Sequence, residues 1–197
     1  MPPMPPITKV LLLINVGAFF LDQLFGGQLT RWLALWPIGP GFLPFQVVTY
    51  AFLHGNLAHL FFNMLGLWMF GAELERVWGE QRFIRFYAAS VLSAAAAQLL
   101  VTWLAGSFYP TVGASGGLFG LLLAFGMMFP NRTIMPLFPP IPMKAKTFVA
   151  VYGALELFLG VTGTQEGVAH FAHLGGMLGG YLMIRYWRGQ PPFRRRR

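Results

Sequence analysis

The chain has 197 residues, of which 56% are hydrophobic and only 10% charged, with a mean hydropathy of +0.59. A soluble domain normally carries about 25% charged residues, so a water-facing surface is excluded and lipid is the expected solvent. The absence of cysteine excludes disulfides and thiolate chemistry, and the net charge of +8 falls in short loops and at the C-terminus, which points to membrane orientation and away from nucleic acid.

A membrane span needs about 20 mostly apolar residues. Six candidates follow in order, at about 7–25, 47–70, 83–104, 115–129, 147–161 and 168–187. The expected fold class is an all-α polytopic membrane protein, a six-helix bundle forming one domain over 1–197. Met1 to Pro6 carries no positive charge and no cleavage-site pattern follows the first apolar run, so no removable signal peptide is expected.

With six spans, both termini share one side. That side holds Lys9, Arg76, Arg82, Arg85, Arg132, Lys144, Lys146, Arg185, Arg188 and the basic tail at 188–197, against Arg31 alone on the other. The positive-inside rule then places both termini in the cytoplasm. The loop at 26–45 contains Trp32, Trp36, Phe42 and Phe45 and is expected to lie in the outer interface.

The second, fourth and sixth candidates run in the same direction. At 1.5 Å per residue, Ser115 stands about 21 Å above Phe129, His59 about 18 Å above Gly71 and His173 about 18 Å above Arg185. All three therefore share one level, about 10 Å below the outer surface of a core about 30 Å thick. The fourth helix is too short to span and begins below that surface. The loop at 106–113 must dip to meet it, and irregular backbone at that depth requires a protein or aqueous surround.

Ser115 opens an apolar helix within Gly113-Ala114-Ser115-Gly116. A serine nucleophile needs a base and oxyanion donors, and a helix N-terminus supplies unpaired N–H groups. The alternative is a small-residue packing face. His173 lies on the helix face of Gly176 and Gly180; a glycine ridge there can pack on Gly116 and Gly120 and bring imidazole to hydroxyl. Histidine inside a membrane is rare and usually functional. No Asp or Glu lies near that depth on the second, fourth or sixth helix, so a Ser–His dyad is expected. His59 and Asn63, at i and i+4, can donate to an oxyanion beside the Ser115 N–H; the alternative for them is interhelical polar glue.

Taken together, His54-Gly55-Asn56-Leu57-Ala58-His59 with Asn63, the Gly-Ala-Ser115-Gly motif, and Ala172-His173-x-x-Gly176-x-x-x-Gly180 resemble the rhomboid family of intramembrane serine proteases. The likeness covers the second to sixth candidates. It implies Ser115 as nucleophile, His173 as general base, and His59 and Asn63 as oxyanion donors. It also implies Phe119 stacked on His173, and a structural role for Glu75 and Gly79 at the cytoplasmic end of the second helix. The family's loop usually carries Trp-Arg; here the order is Arg31-Trp32, and no role is carried over. Gly113, Gly116, Phe119 and His170 are expected to line or support the pocket, and His54 to hydrogen-bond the loop. Glu156 lies far enough into the fifth candidate to be costly if charged; it is expected either to be neutral and hydrogen-bonded or to face the pocket, and the resemblance assigns it no role.

The implied activity is hydrolysis of peptide bonds in or next to transmembrane segments, with no cofactor and no metal. Substrate would enter sideways past the fifth helix and the loop at 162–167. The lack of bulk at 113–117 implies a small residue before the cleaved bond. The partners are transmembrane substrates and the bilayer, without nucleic acid, and the expected location is a prokaryotic plasma membrane. Two other classes stand beside this one. His54, His59, His170 and His173 can in principle ligate zinc, although no carboxylate is evident to complete the set. A catalytically inactive relative would act as a membrane chaperone or adaptor.

Overall fold

The structure is a computed structural model, and it describes residues 3–137, 140–163 and 169–193. The basic residues Arg194 to Arg197 and most of the loop expected to flank substrate entry lie outside the described residues.

The chain is helical almost throughout. Helix α1 (Pro6–Leu24) begins with proline, whose missing N–H is no loss in a first turn. Its next free N–H groups are satisfied from far away in sequence. Glu75 Oε1 accepts from Ile7 N at 2.9 Å, and Oε2 accepts from Thr8 N at 2.7 Å and Thr8 Oγ1 at 2.6 Å. Glu75 is thus buried under the start of α1, a concrete form of the structural role expected for it. At the far end, Asp22 accepts from Thr30 N and Oγ1 and ties α2 (Gln28–Leu33) to α1.

The segment after α2 is organised by one buried side chain, Gln46, at the start of α3 (Gln46–Thr49). Its amide nitrogen donates to the Trp32 and Gly41 carbonyls and its oxygen accepts from Trp36 and Leu43 N–H. The aromatic loop is therefore closed around an amide crosslink.

The second candidate span is displaced from the expected 47–70. The apolar run breaks after a 3₁₀ turn at Tyr50–Phe52. A new helix, α4 (Leu57–Gly66), starts at Asn56, whose side chain accepts from His59 N at 2.8 Å, an N-cap. It continues through one π turn at Leu67–Gly71 into α5 (Ala72–Trp78). Hydropathy alone does not register this cap, and His54 falls in the loop before the helix.

Helix α6 (Glu80–Ala105) follows Gly79, whose φ of +75° reverses the chain. Then come α7 (Ser115–Met128), a two-residue antiparallel pair β1 (Thr133–Ile134) with β2 (Met143–Lys144), α8 (Ala145–Thr162) and α9 (His170–Trp187). Among the described residues, four helical stretches are long and apolar enough to cross a membrane, at Pro6–Leu24, Leu57–Trp78, Glu80–Ala105 and Ala145–Thr162, and α7 is a shorter apolar helix.

The centre of the bundle is α6, α7 and α9, which pack backbone to backbone. On α9, Gly176 lies on the Gly116 carbonyl and Gly180 within 3.2 Å (from a built Cβ) of Gly120 Cα. A second pair on α9 faces α6: a Cβ on Gly175 would stand 2.5 Å from Ala97 Cβ, and one on Gly179 2.5 Å from Ser93 Cβ. Any larger residue would force the helices apart, which is the physical content of a small-residue interface. Phe83, Phe86, Leu74 and Leu121 fill the core between α5, α6 and α7.

Candidate active site

The approach to α7 is held in an extended form. Thr111 and Leu35 exchange backbone hydrogen bonds at 2.9 Å in both directions, and Gly113 N donates to the Tyr50 carbonyl at 3.0 Å. Tyr50 is itself tied to α6 through its hydroxyl, 2.8 Å from the Val91 carbonyl. Gly113 has φ +130°, and a Cβ there would come within 2.8 Å of the His59 ring and 3.5 Å of Ser115 Oγ. Both the backbone conformation and the space require glycine. Ser115 is then the first residue of α7, where backbone N–H groups have no intrahelical partner.

His173 reaches Ser115 from α9. Its Nε2 lies 2.8 Å from Ser115 Oγ. The approach is possible because α9 rests on α7 through glycine. Phe119, one turn beyond Ser115, stacks on the imidazole with ring centroids 4.3 Å apart and planes 7° from parallel. The ring is therefore held by one face and by Nε2.

A third contact was not foreseen from the sequence. Glu156, in the middle of α8, places Oε2 2.8 Å from His173 Nδ1 and 2.7 Å from His170 Nδ1. Its carboxylate is buried with both rings. The expected dyad thus has a carboxylate on its far side, contributed by α8 and not by the helices that carry Ser115, His59 and His173. The sequence did hold a signal, namely an acidic residue inside an apolar helix. The zinc alternative also changes. His54 and His59 are not part of this cluster, whereas Glu156, His170 and His173 offer ligand atoms within 4.8 Å of one another. Hydrogen bonds between the rings and Oε2 account for these three atoms as they stand.

His59 and Asn63 lie on α4 across a cavity of about 540 Å³ that Ser115, His173 and Phe119 also line. Asn63 Nδ2 donates to the His59 carbonyl at 3.0 Å, leaving its second N–H free to donate, since a side-chain amide carries two. Tyr109, Pro110, Thr111 and Val112 form another wall. A second, more apolar cavity of about 570 Å³ adjoins it, sharing Phe62, Leu118 and Phe119 and bounded further on by Met69, Phe148 and Tyr152.

Not every residue expected to line or support the cavity lines it. Gly113 and Gly116 do not line the cavity; one turns the chain behind His59, and the other packs against Ala94. A side chain at 113 would nonetheless press on His59 and Ser115, two groups that do line the cavity. His170 also lies off the cavity, behind Glu156. His54 is buried with its ring edge against His59 at 5.0 Å, and neither of its ring nitrogens has a hydrogen-bond partner among the described residues, so the expected bond to the loop is not made.

The arrangement has the parts of an acyl-transfer site. A hydroxyl can pass its proton to an imidazole, and donors at a helix N-terminus and on α4 face the same cavity. Comparison with known proteins shows the family. Residues 43–189 match the Rhomboid domain model. The chain is 28% identical over 190 residues to the rhomboid protease GluP of Bacillus subtilis (strain 168), covering 90% of this chain and 34% of that protein. It is 33% identical over 140 residues to the mitochondrial Rhomboid protein 1 of Saccharomyces cerevisiae, covering 70% of this chain and 40% of that protein. With the rhomboid protease GlpG of Pectobacterium atrosepticum it shares 26% over 187 residues, 92% of this chain and 62% of that protein. The chain thus spans between about a third and three fifths of the length of these relatives. On this evidence it is an integral membrane protein that belongs to the rhomboid family.

Proposed function

We propose that the protein is an intramembrane serine endopeptidase that hydrolyses peptide bonds in or beside the transmembrane segments of other membrane proteins. The observation that carries this reading is the 2.8 Å approach of His173 Nε2 to Ser115 Oγ at the start of α7, in a partly polar cavity inside an apolar bundle. As Ser115 Oγ bonds to the scissile carbonyl carbon, its proton passes to His173 Nε2 and the carbonyl π pair moves to oxygen. The Ser115 N–H and the side chains of His59 and Asn63 are the donors for that oxyanion. The C–N bond then breaks as His173 returns the proton to the leaving amine. Water, deprotonated in turn by His173, releases the acyl group.

The adjoining apolar cavity supports lateral entry. A substrate helix lying against Met69, Phe148 and Tyr152 would present its unwound end past Phe62 and Phe119. In this reading α1, α4–α5, α6, α7, α8 and α9 are the six spans, both termini are cytoplasmic and Ser115 opens towards the outside. The basic residues at one end of the bundle favour that orientation. The likeness to the proteases of Bacillus subtilis and Pectobacterium atrosepticum supports a prokaryotic plasma membrane as the protein's location.

The test is cleavage of a model transmembrane substrate by purified protein in detergent, with wild type, Ser115→Ala, His173→Ala and wild type plus chelator side by side. The expected result is cleavage by wild type that chelator leaves untouched and that both substitutions abolish. A folded wild type that cleaves no substrate of a varied panel would favour the non-catalytic adaptor instead.

A further inference from the structure

Glu156 is a carboxylate in an apolar helix, among the exposed apolar residues Leu155, Leu157 and Phe158. Burying such a group is costly unless it is paired and hydrogen-bonded. It is satisfied at one oxygen by two rings. His170 and His173 are three apart on α9 and so turn towards α8 together, with their planes 88° apart. This lets both Nδ1 atoms converge on Oε2 at 2.7 and 2.8 Å.

The protons on these atoms can be counted. An ionised carboxylate only accepts, so both imidazoles carry hydrogen on Nδ1. Even a protonated carboxyl has one hydrogen to give, and at least one ring would still have to donate. With hydrogen on Nδ1, the neutral His173 ring presents a bare lone pair at Nε2. That is the atom facing Ser115 Oγ, and only this tautomer can take the hydroxyl proton. His170 Nε2 is buried without a partner among the described residues. As a lone pair it is more easily tolerated there than an orphaned N–H would be.

Resting on the reading of Ser115 and His173 as nucleophile and base, we infer that Glu156 is a positioning residue of the reaction, anchored by His170, that selects the tautomer and orientation in which His173 acts. During attack the Ser115 proton moves to Nε2 while the hydrogen on Nδ1 stays there, still donated to Oε2. Glu156 takes no proton at any step. It holds the ring and faces the imidazolium with a negative charge. His170 touches neither Ser115 nor the cavity, and its part is to hold the carboxylate.

The experiment combines kinetics with ¹⁵N-histidine NMR on the full chain in detergent micelles. In wild type, His173 should show a protonated Nδ1 and an unprotonated Nε2 at a pH where the ring is neutral. Glu156→Ala should mix in the opposite tautomer and lower kcat by about 10²-fold, with KM changed less than about twofold. Glu156→Gln keeps the shape and one acceptor, and should fall between wild type and the alanine variant. A structural role alone would lower thermal stability without moving the tautomer.

Wild-type His173 with hydrogen on Nε2 would overturn the inference whether or not the variants fold. So would Glu156→Ala with wild-type kcat. Activity that chelator abolishes, zinc restores and Ser115→Ala leaves intact would assign the Glu156 cluster to a metal and overturn it too. Failure of the enzyme reading is separate, because the tautomer is measured without turnover.

Discussion

Two helices bring His173 and its carboxylate partner together, and they are built differently. Helix α9 carries the histidine itself and has glycine on two faces, Gly176 and Gly180 on α7, Gly175 and Gly179 on α6. Helix α8 carries Glu156 and packs on α7 and α9 with larger side chains, leaving Val151, Leu155, Leu157, Phe158 and Val161 exposed. The Ser115–His173 distance is therefore set by backbone contact, which side-chain rotation cannot relax. The Glu156–His173 distance is set by hydrogen bonds between side chains on helices in looser contact. A pair that must meet at hydrogen-bond range gains most from rigid neighbours, whereas a supporting group can ride on the helix that borders the proposed entrance.

This difference can be broken most severely at Gly176. A Cβ there would overlap the Gly116 carbonyl, so Gly176→Ala should destabilise the protein by about 2 kcal/mol or more and abolish cleavage, read by thermal unfolding in detergent and by the substrate assay. The contrasting change on α8 is Gly153→Ala. Its Cβ would meet only the flexible end of Met177, at 3.3 Å from Cε, and stability should stay within about 0.5 kcal/mol of wild type. Equal effects from the two would remove the distinction between the helices.

Glu75 sharpens the contrast away from the site. Glu75→Ala removes three hydrogen bonds from the first turn of α1 and should cost about 2 kcal/mol, with faster hydrogen exchange at the amides of Ile7 and Thr8 and an unchanged kcat. Gly113→Ala should act in the opposite sense, on rate more than stability. Its strained φ and the His59 ring would misplace the start of α7, and cleavage should slow about tenfold. A small effect is also expected at Arg132, whose ion pair with Glu73 at 2.7 Å is half-exposed; Arg132→Ala should change stability by less than about 1 kcal/mol.

Much of the architecture around Ser115 was legible because it rests on local spacing. Glycine at i+3 and i+7 from His173 defines a face regardless of the rest of the fold, and a serine following Gly-Ala before an apolar run marks a helix start. The second span was misplaced by about ten residues because a continuous apolar run concealed the Asn56 cap. Glu75 was expected only as a structural residue at the cytoplasmic end of the second helix, and its three hydrogen bonds to the start of α1 leave no trace in local spacing. Gln46 drew no expectation, since four hydrogen bonds to separated backbone groups leave no periodic trace. Glu156 was visible as an anomaly but not as a partner of His173. Their contact spans 17 residues and depends on how α8 is rotated, and apolar residues all around a helix leave its rotation unmarked.

The proposed chemistry stands or falls with Ser115 as a nucleophile activated by His173. A serine-directed fluorophosphonate, followed by intact mass and peptide mapping, tests it without any knowledge of the substrate. A single adduct on Ser115 in wild type, lost in His173→Ala and preserved at normal folding stability in Gly153→Ala, is the predicted result. A folded wild type that forms no adduct, or one that is labelled equally well without His173, would contradict it.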